Sequence, residues 1–140
     1  MKFLFDTHAL LWWLADDDRL GARARGLVKD PANDVIVSVV SLWQIVAKAR
    51  IGKLQADIEE IADTVQREGF TPLAVTTAHL RTLAELPIHH RDPFDHLLTA
   101  QAIVENATFI FEDRNTPHYP VQFVACTDSP NPGQSAPSSR

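Results

Sequence analysis

Short apolar segments recur along the chain, and most of them are continuous in Val, Ile, Leu or Phe. Such runs are typical of strands that are buried on both faces of a sheet. The clearest occupy residues 2–6, 34–39 and 108–112, and two further runs at 70–75 and 121–124 also predict strands. The chain therefore has four or five predicted strands.

Between these runs, apolar residues recur at helical spacing. Thr7 and Ser41 are predicted N-caps, and Asp92 is a third, followed by Pro93 at the first helical position. Gly52 stands just after a helical pattern, in the position that favours a left-handed residue. The predicted helices occupy residues 7–14, 21–29, 41–51, 57–69, 77–86 and 92–105.

Strands that alternate with helices indicate a parallel sheet covered on both faces. We therefore predict an α/β fold, a three-layer α/β/α sandwich with a mostly parallel sheet of four to five strands. Residues 1–126 are predicted to form this domain. Residues 127–140 are rich in Ser, Pro, Asn and Gly, and we predict a disordered C-terminal tail there.

Composition restricts the class of protein. At 140 residues, with 45% hydrophobic and 22% charged residues, the chain has the make-up of one globular domain. The net charge of −5 argues against a surface that coats itself with nucleic acid. Cys126 is the single cysteine, so no internal disulfide can form. The first apolar run is interrupted by Asp6 and followed by no cleavage site, so we expect a cytoplasmic protein without a membrane segment.

Four aspartates stand at the edges of predicted elements. Asp6 and Asp113 each follow a strand, while Asp92 and Asp95 open a helix. Because sites in open parallel sheets form outside the carboxyl ends of the strands, these acids are expected to converge. Like charges a few ångströms apart resist joint ionisation, and a hard divalent cation with oxygen ligands removes the conflict. Read separately, each aspartate is equally explained as a cap or a turn former.

Several other residues near these acids are candidates for contacting a substrate. Thr7 follows Asp6 and is either a water-binding hydroxyl or only a helix cap, while His8 is more typical of a structural histidine. Lys48, Arg91 and Arg114 are placed to meet phosphate groups, although each also fits a solvated cation that balances local charge.

The remaining aromatic and histidine residues favour structural roles. His89 and His90 are adjacent and have no third ligand at metal spacing, so a zinc site is not expected. The tryptophans are interpreted as core or interface anchors, with base stacking as the lesser alternative; they are Trp12, Trp13 and Trp43.

Four segments of the chain together resemble PIN-domain proteins, specifically the VapC-type toxins. They occur in the order typical of that family and span roughly residues 1–125. The segments are FDTHALLWWL at 5–14, SLWQIVAK at 41–48, RDPFDHLL at 91–98 and FEDR at 111–114.

This resemblance implies an α/β/α sandwich that uses Mg²⁺ or Mn²⁺ to cleave RNA endonucleolytically. It also implies a homodimer that is inhibited by a cognate VapB-like antitoxin. The residues that match the metal-binding acids of such proteins are Asp6, Asp95 and Asp113, with Asp92 as a neighbouring candidate ligand.

One position departs from the family pattern. Gln44 stands where such proteins have glutamate. An amide keeps an oxygen that can ligate, but it loses the negative charge that attracts a hard cation. Two hypotheses follow: a natural variant with weakened metal binding, or a deliberate change that allows a toxic nuclease to be produced.

Three functions therefore remain open. The first is a Mg²⁺-dependent endoribonuclease of the toxin type, attenuated at Gln44. The second is a PIN-like domain that no longer cleaves and instead binds RNA or an antitoxin. The third, phosphoryl transfer on small molecules, is disfavoured because the five glycines form no phosphate-binding loop.

Overall fold

A computed structural model describes residues 1–88, 92–111, 123–125 and 127. Within these residues the strands are β1 (Lys2–Phe5), β2 (Asp34–Ser38), β3 (Thr71–Leu73), β4 (Thr108–Phe111) and β5 (Phe123–Ala125). The helices are α1 (Thr7–Leu14), α2 (Ala22–Lys29), α3 (Val39–Arg50), α4 (Ile58–Arg67), α5 (Thr77–Glu85) and α6 (Pro93–Glu105).

The five strands form one parallel sheet in the order β3-β2-β1-β4-β5. Strand β1 is central, and Leu4 pairs with Ile36 on one side and Phe109 on the other. The prediction of a parallel sheet is confirmed, and the number of strands is five. Because all five strands point the same way, their carboxyl ends share one edge, where chain segments from different parts of the sequence meet.

Side chains of β1 alternate between the two faces of the sheet, as the pleat requires. Phe3 and Phe5 belong to a buried cluster that includes residues of α1, α2 and α4. Leu4 belongs to a second cluster that is completed by α6 and by Leu83 of α5. Helices therefore cover both faces, and the predicted three-layer α/β/α sandwich is confirmed.

Two predicted N-caps are wrong. The cap of α1 is Asp6 rather than Thr7, and the cap of α3 is Ser38 rather than Ser41. In both cases the capping-competent residue at the end of the strand takes the role, because the helix begins where the strand ends. The predicted cap at Asp92, with Pro93 following it, is confirmed.

The two glycines that end helices adopt left-handed conformations. Gly52 and Gly69 both have a φ of 77°, which agrees with the expected C-terminal position of each. Strand β3 is shorter than predicted, at Thr71–Leu73, and it lies at one edge of the sheet, where the missing N–H of Pro72 is tolerated.

Some sequence predictions fall outside the described residues. Of the segment predicted as a fifth strand at 121–124, the structure describes the last two residues, within β5. Thr127 is the sole described residue of the predicted tail, so that tail stays a prediction. No helix in the described ranges is long and apolar enough to cross a bilayer.

Candidate active site

Asp6 is fixed where β1 ends and α1 begins. Its backbone N–H donates to the carbonyl oxygen of Ile110 at 2.8 Å, which continues the pairing of β1 with β4. Its Oδ1 accepts a hydrogen bond from the backbone N–H of Ala9 at 2.7 Å. The residue is 5% exposed. A carboxylate is therefore held at the carboxyl edge of the sheet, near the centre, by both its backbone and its side chain.

Asp92 and Asp95 enter the same region from the start of α6. Asp92 Oδ1 accepts from the backbone N–H groups of Phe94 and Asp95, at 2.9 and 3.3 Å. Asp95 lies in the first helical turn, where the helix dipole favours negative charge. The N-terminus of α6, which the Asp92-Pro93 pair predicts, thus positions both aspartates.

The pKa of Asp95 reflects both its burial and the neighbouring acids. It is raised from 3.8 to about 7, first because the carboxyl is buried and next because the carboxylates of Asp92 and Asp6 repel its charge. A side-chain hydrogen bond with Asp92 raises the pKa further, while the positive charge of Lys48 lowers it. Asp92 and Asp6 are therefore both within electrostatic range of Asp95, and so is the cation Lys48.

Helix α3 borders the acids on another side. Its Ser41 hydroxyl accepts a buried hydrogen bond from the Thr7 hydroxyl at 3.2 Å, which ties α3 to the residue after Asp6. Gln44 is one turn further along α3, is 5% exposed, and its Oε1 has no hydrogen-bond partner among the described residues. Lys48 follows one turn later, so Ser41, Gln44 and Lys48 share one face of the helix.

The oxygen atoms that these residues offer are suitable ligands for a hard divalent cation. Carboxylate and amide oxygens are the ligands that Mg²⁺ and Mn²⁺ prefer. The buried amide oxygen of Gln44 has no hydrogen-bond partner among the described residues, and a cation nearby would satisfy it and lower the raised pKa of Asp95. Within the described ranges, no three His, Cys, Asp or Glu side chains form a metal-binding group by themselves. Asp113 lies outside the described residues, as do Arg91, Arg114, His89 and His90.

The tryptophans divide into two groups. Trp12 and Trp13 pack against the cluster under α1, in agreement with their predicted role as anchors. Trp43 is not in the core, because it is 59% exposed. Its ring contacts Phe94 edge to face, with centroids 4.7 Å apart. Phe94 was not among the predicted site residues, although its place between Asp92 and Asp95 puts it beside the acids.

The fold and the acid-lined carboxyl edge define a parallel α/β/α domain with a candidate metal site built from separate segments. The family model of the PIN domain matches residues 3–121. The chain therefore belongs to the PIN-domain family, and the resemblance predicted from four sequence segments is confirmed.

Two curated relatives come from Mycobacterium tuberculosis. Ribonuclease VapC22 is 28% identical over 118 residues, which cover 79% of this chain and 86% of that protein. Ribonuclease VapC16 is 34% identical over 58 residues, covering 39% of this chain and 41% of that protein.

Solved structures share the fold at low identity. VapBC2 from Rickettsia felis, bound to a promoter DNA fragment, has a TM-score of 0.65 at 15% identity and covers 89% of this chain and 98% of its own. VapBC-1 from nontypeable Haemophilus influenzae has a TM-score of 0.61 at 13% identity, covering 89% and 97%. A toxin–antitoxin complex from Klebsiella pneumoniae has a TM-score of 0.59 at 16% identity, covering 89% and 98%.

Proposed function

We propose that this protein is a divalent-metal-dependent endoribonuclease, the toxin of a VapBC-like type II toxin–antitoxin system. The observation that carries the proposal is that Asp6, held at the carboxyl end of β1, lies within electrostatic range of Asp95 at the start of α6. Burial of the Asp95 carboxyl and the charges of Asp92 and Asp6 together raise its pKa to about 7. Membership of the PIN-domain family and similarity to Ribonuclease VapC22 support RNA as the substrate.

The proposed ligands of Mg²⁺, with Mn²⁺ as the alternative, are Asp6, Asp95 and Asp113, and Asp92 is an additional candidate. When bound, the cation supplies charge for polarising a phosphoryl oxygen and lowers the pKa of a coordinated water. Asp6 and Asp95 contribute by holding negative charge at fixed positions. Asp92 contributes by accepting the N–H groups that begin α6, which orients Asp95 toward the same edge.

The substrate-binding residues in this proposal are Thr7, Lys48, Arg91 and Arg114. Lys48 is close enough to the acids to lower the pKa of Asp95, so its ammonium group is available to a phosphate at the same place. The Thr7 hydroxyl donates to Ser41 and thereby keeps α3 against the start of α1. Phosphate contacts of this kind orient the RNA without reading its sequence.

Gln44 attenuates the proposed activity. Its buried Oε1 lacks a partner among the described residues, but an amide brings no charge to offset that of the cation. The same observation favours a second candidate function, a PIN domain that binds RNA or an antitoxin and no longer cleaves.

A comparison of four proteins tests the proposal: the unchanged chain, Gln44→Glu, Asp6→Asn, and Gln44→Glu combined with Asp6→Asn. RNA cleavage is measured with Mg²⁺, with Mn²⁺ and with chelator. We expect Gln44→Glu to raise the rate at limiting metal by about tenfold or more, because it restores a charged ligand. Asp6→Asn removes the charge while keeping an oxygen that can cap α1, and it is expected to abolish cleavage.

Two results would contradict the nuclease proposal. One is cleavage that persists in Asp6→Asn or in chelator. The other is the absence of cleavage in Gln44→Glu with either metal, a result that would instead favour the binding function. Equal rates for the unchanged chain and Gln44→Glu would show that position 44 does not attenuate activity.

The partners follow from the same proposal. We propose a VapB-like antitoxin as the inhibitor, a homodimer as the assembly and the cytoplasm as the location. The solved relatives with this fold include VapBC assemblies, which supports an antitoxin partner. Co-expression with the neighbouring small gene should yield a complex in which RNA cleavage by Gln44→Glu is suppressed.

A further inference from the structure

Trp43 and Phe94 form an aromatic pair at the surface, between two helices that border the acids. Trp43 comes from α3 and is 59% exposed, while Phe94 comes from the first turn of α6. Their centroids are 4.7 Å apart and their planes make an angle of 67°. This edge-to-face contact holds the indole in place while more than half of its surface stays accessible.

The pair lies next to the candidate active site along both helices. Trp43 directly precedes Gln44, whose amide oxygen is buried and without a partner among the described residues. Phe94 lies between Asp92 and Asp95, and it packs against the cluster beneath α6. The exposed indole therefore belongs to the helix that carries Gln44 and contacts, through Phe94, the turn that carries Asp92 and Asp95.

The charge of α3 suits an anionic ligand. The helix contains Lys48 and Arg50 and no aspartate or glutamate, although the whole chain has a net charge of −5. Lys48 is near enough to the acids to affect the pKa of Asp95. An exposed indole on a helix that also carries positive charge is the combination that binds single-stranded nucleic acid, with stacking for the base and a cation for the phosphate.

We infer that an unpaired base of the RNA substrate stacks on the indole of Trp43, which Phe94 contacts edge to face. This inference rests on the proposed function and assigns a base-binding position to the same site. Stacking on an aromatic side chain requires a base that is not paired in a helix. The position therefore selects single-stranded or looped RNA, and it contributes affinity for any base that presents a flat face.

Direct binding measurements test the inference separately from cleavage. The Asp6→Asn protein is titrated with a fluorescein-labelled single-stranded RNA in Mg²⁺, and anisotropy gives the Kd. Adding Trp43→Leu, which keeps apolar area but removes the aromatic face, should weaken binding roughly 5- to 100-fold. Adding Trp43→Phe should leave the Kd within about threefold, because a smaller aromatic face remains.

An abasic scan of the same RNA locates the stacked base. Removing one base at a time should produce one position at which the loss of affinity matches that of Trp43→Leu. At that position the abasic RNA and Trp43→Leu together should cost no more than either change alone, since they remove the same contact.

Val39 is the matched control, because it is 46% exposed one turn before Trp43 on the same helix. Val39→Ser should leave RNA binding unchanged.

The inference is overturned if Trp43→Leu binds as tightly as its parent, or if the parent protein binds no RNA. It is also overturned if Trp43→Leu and Val39→Ser both shift the oligomeric state in light scattering, since the patch would then be a protein interface. Loss of binding in Trp43→Leu without cleavage by any variant would instead retain the stacking site and refute the nuclease.

Discussion

At the scale of single residues, Asp95 connects the electrostatics of the site to the stability of the fold. Its carboxyl is buried next to Asp92 and Asp6, so its pKa is raised from 3.8 to about 7. In the unfolded chain the same group titrates near its ordinary value. Between these two pH values the folded protein holds a proton that the unfolded chain has released.

The difference in the pKa of Asp95 between the folded and the unfolded chain fixes how stability depends on pH. Without metal, the free energy of unfolding should fall as pH rises from about 4 to about 7 and then stay level with respect to this group. The loss should be on the order of 4 kcal/mol for a rise in pKa from 3.8 to about 7. Asp95→Asn cannot ionise, so it should lack this slope and be the more stable protein above pH 7.

Urea denaturation in chelator at pH 4.5, 6 and 7.5 measures this effect. Asp63→Asn is the matched control, because Asp63 is exposed on α4. That variant should follow the parent at every pH. Parallel stability profiles for the parent and Asp95→Asn would contradict the prediction.

The sequence indicated acids that the structure brings together at the candidate site, but not their surroundings. Asp6 and Asp95 could be selected because they stand at the ends of apolar elements, a local property. The raised pKa of Asp95 depends on burial and on Asp6, which is distant in sequence. The exposure of Trp43 could not be predicted from the sequence either, because a tryptophan within an apolar helix predicts burial unless the neighbouring elements are known.

At the scale of secondary structure, the elements themselves were predictable, because each apolar run is long enough to reveal its period. The errors fell at helix starts. Asp6 and Ser38 cap α1 and α3, whereas the sequence favoured residues one and three positions later. Two capping-competent residues near a strand end cannot be ranked without knowing where strand pairing stops.

A buried polar network joins α5, α6 and the start of α3. His79 is fully buried; its Nδ1 accepts from the backbone N–H of Thr76 at 2.9 Å, so its Nε2 carries the proton and donates to Glu105 at 2.8 Å. Gln101 is also fully buried, and its Oε1 accepts from the hydroxyl of Ser38 at 2.5 Å. Gln101 Nε2 donates to His79 Nδ1 at 3.4 Å, so the network connects the cap of α5 to the cap of the helix that carries Gln44.

Breaking this network should destabilise the domain. His79→Leu leaves the backbone N–H of Thr76 without its acceptor and removes the donor to Glu105. The expected loss is about 1–3 kcal/mol in free energy of unfolding. Arg81→Leu, at an exposed position on the same helix, should change stability by less than about 0.5 kcal/mol. Urea denaturation of the two variants measures these losses of stability. Equal midpoints would show that the network does not stabilise the domain.

At the scale of the whole molecule, the candidate site depends on the complete sheet. Asp6 follows central strand β1, and its N–H bonds to Ile110 of β4. Strand β4 is in turn paired with β5, in the register Ile110 to Val124. Val124 is 8% exposed and belongs to the cluster under α1. The last described strand thus supports the strand beside Asp6, although it contributes no residue to the proposed metal site.

Two truncations separate this strand from the predicted tail. A chain that ends at Thr127 retains β5 and should unfold at the same temperature as the full chain, because residues 128–140 are predicted to be a disordered tail. A chain that ends at residue 122 loses the burial of Val124 and the contact between Phe123 and Phe111, whose ring centroids are 5.2 Å apart. Its free energy of unfolding should fall by at least about 2 kcal/mol.

Calorimetry measures the stability of both truncations, each of which also carries Gln44→Glu. RNA cleavage by the same two proteins completes this test. The chain ending at Thr127 should cleave at the full-length rate, because every proposed ligand and substrate-binding residue precedes residue 115. The shorter chain also retains all of these residues, so a lower rate at temperatures where it begins to unfold would reflect lost support for β4. A large loss of stability in the longer truncation would show that residues 128–140 pack on the domain. Equal stability of the two truncations would show that β5 contributes little to the sheet beside Asp6.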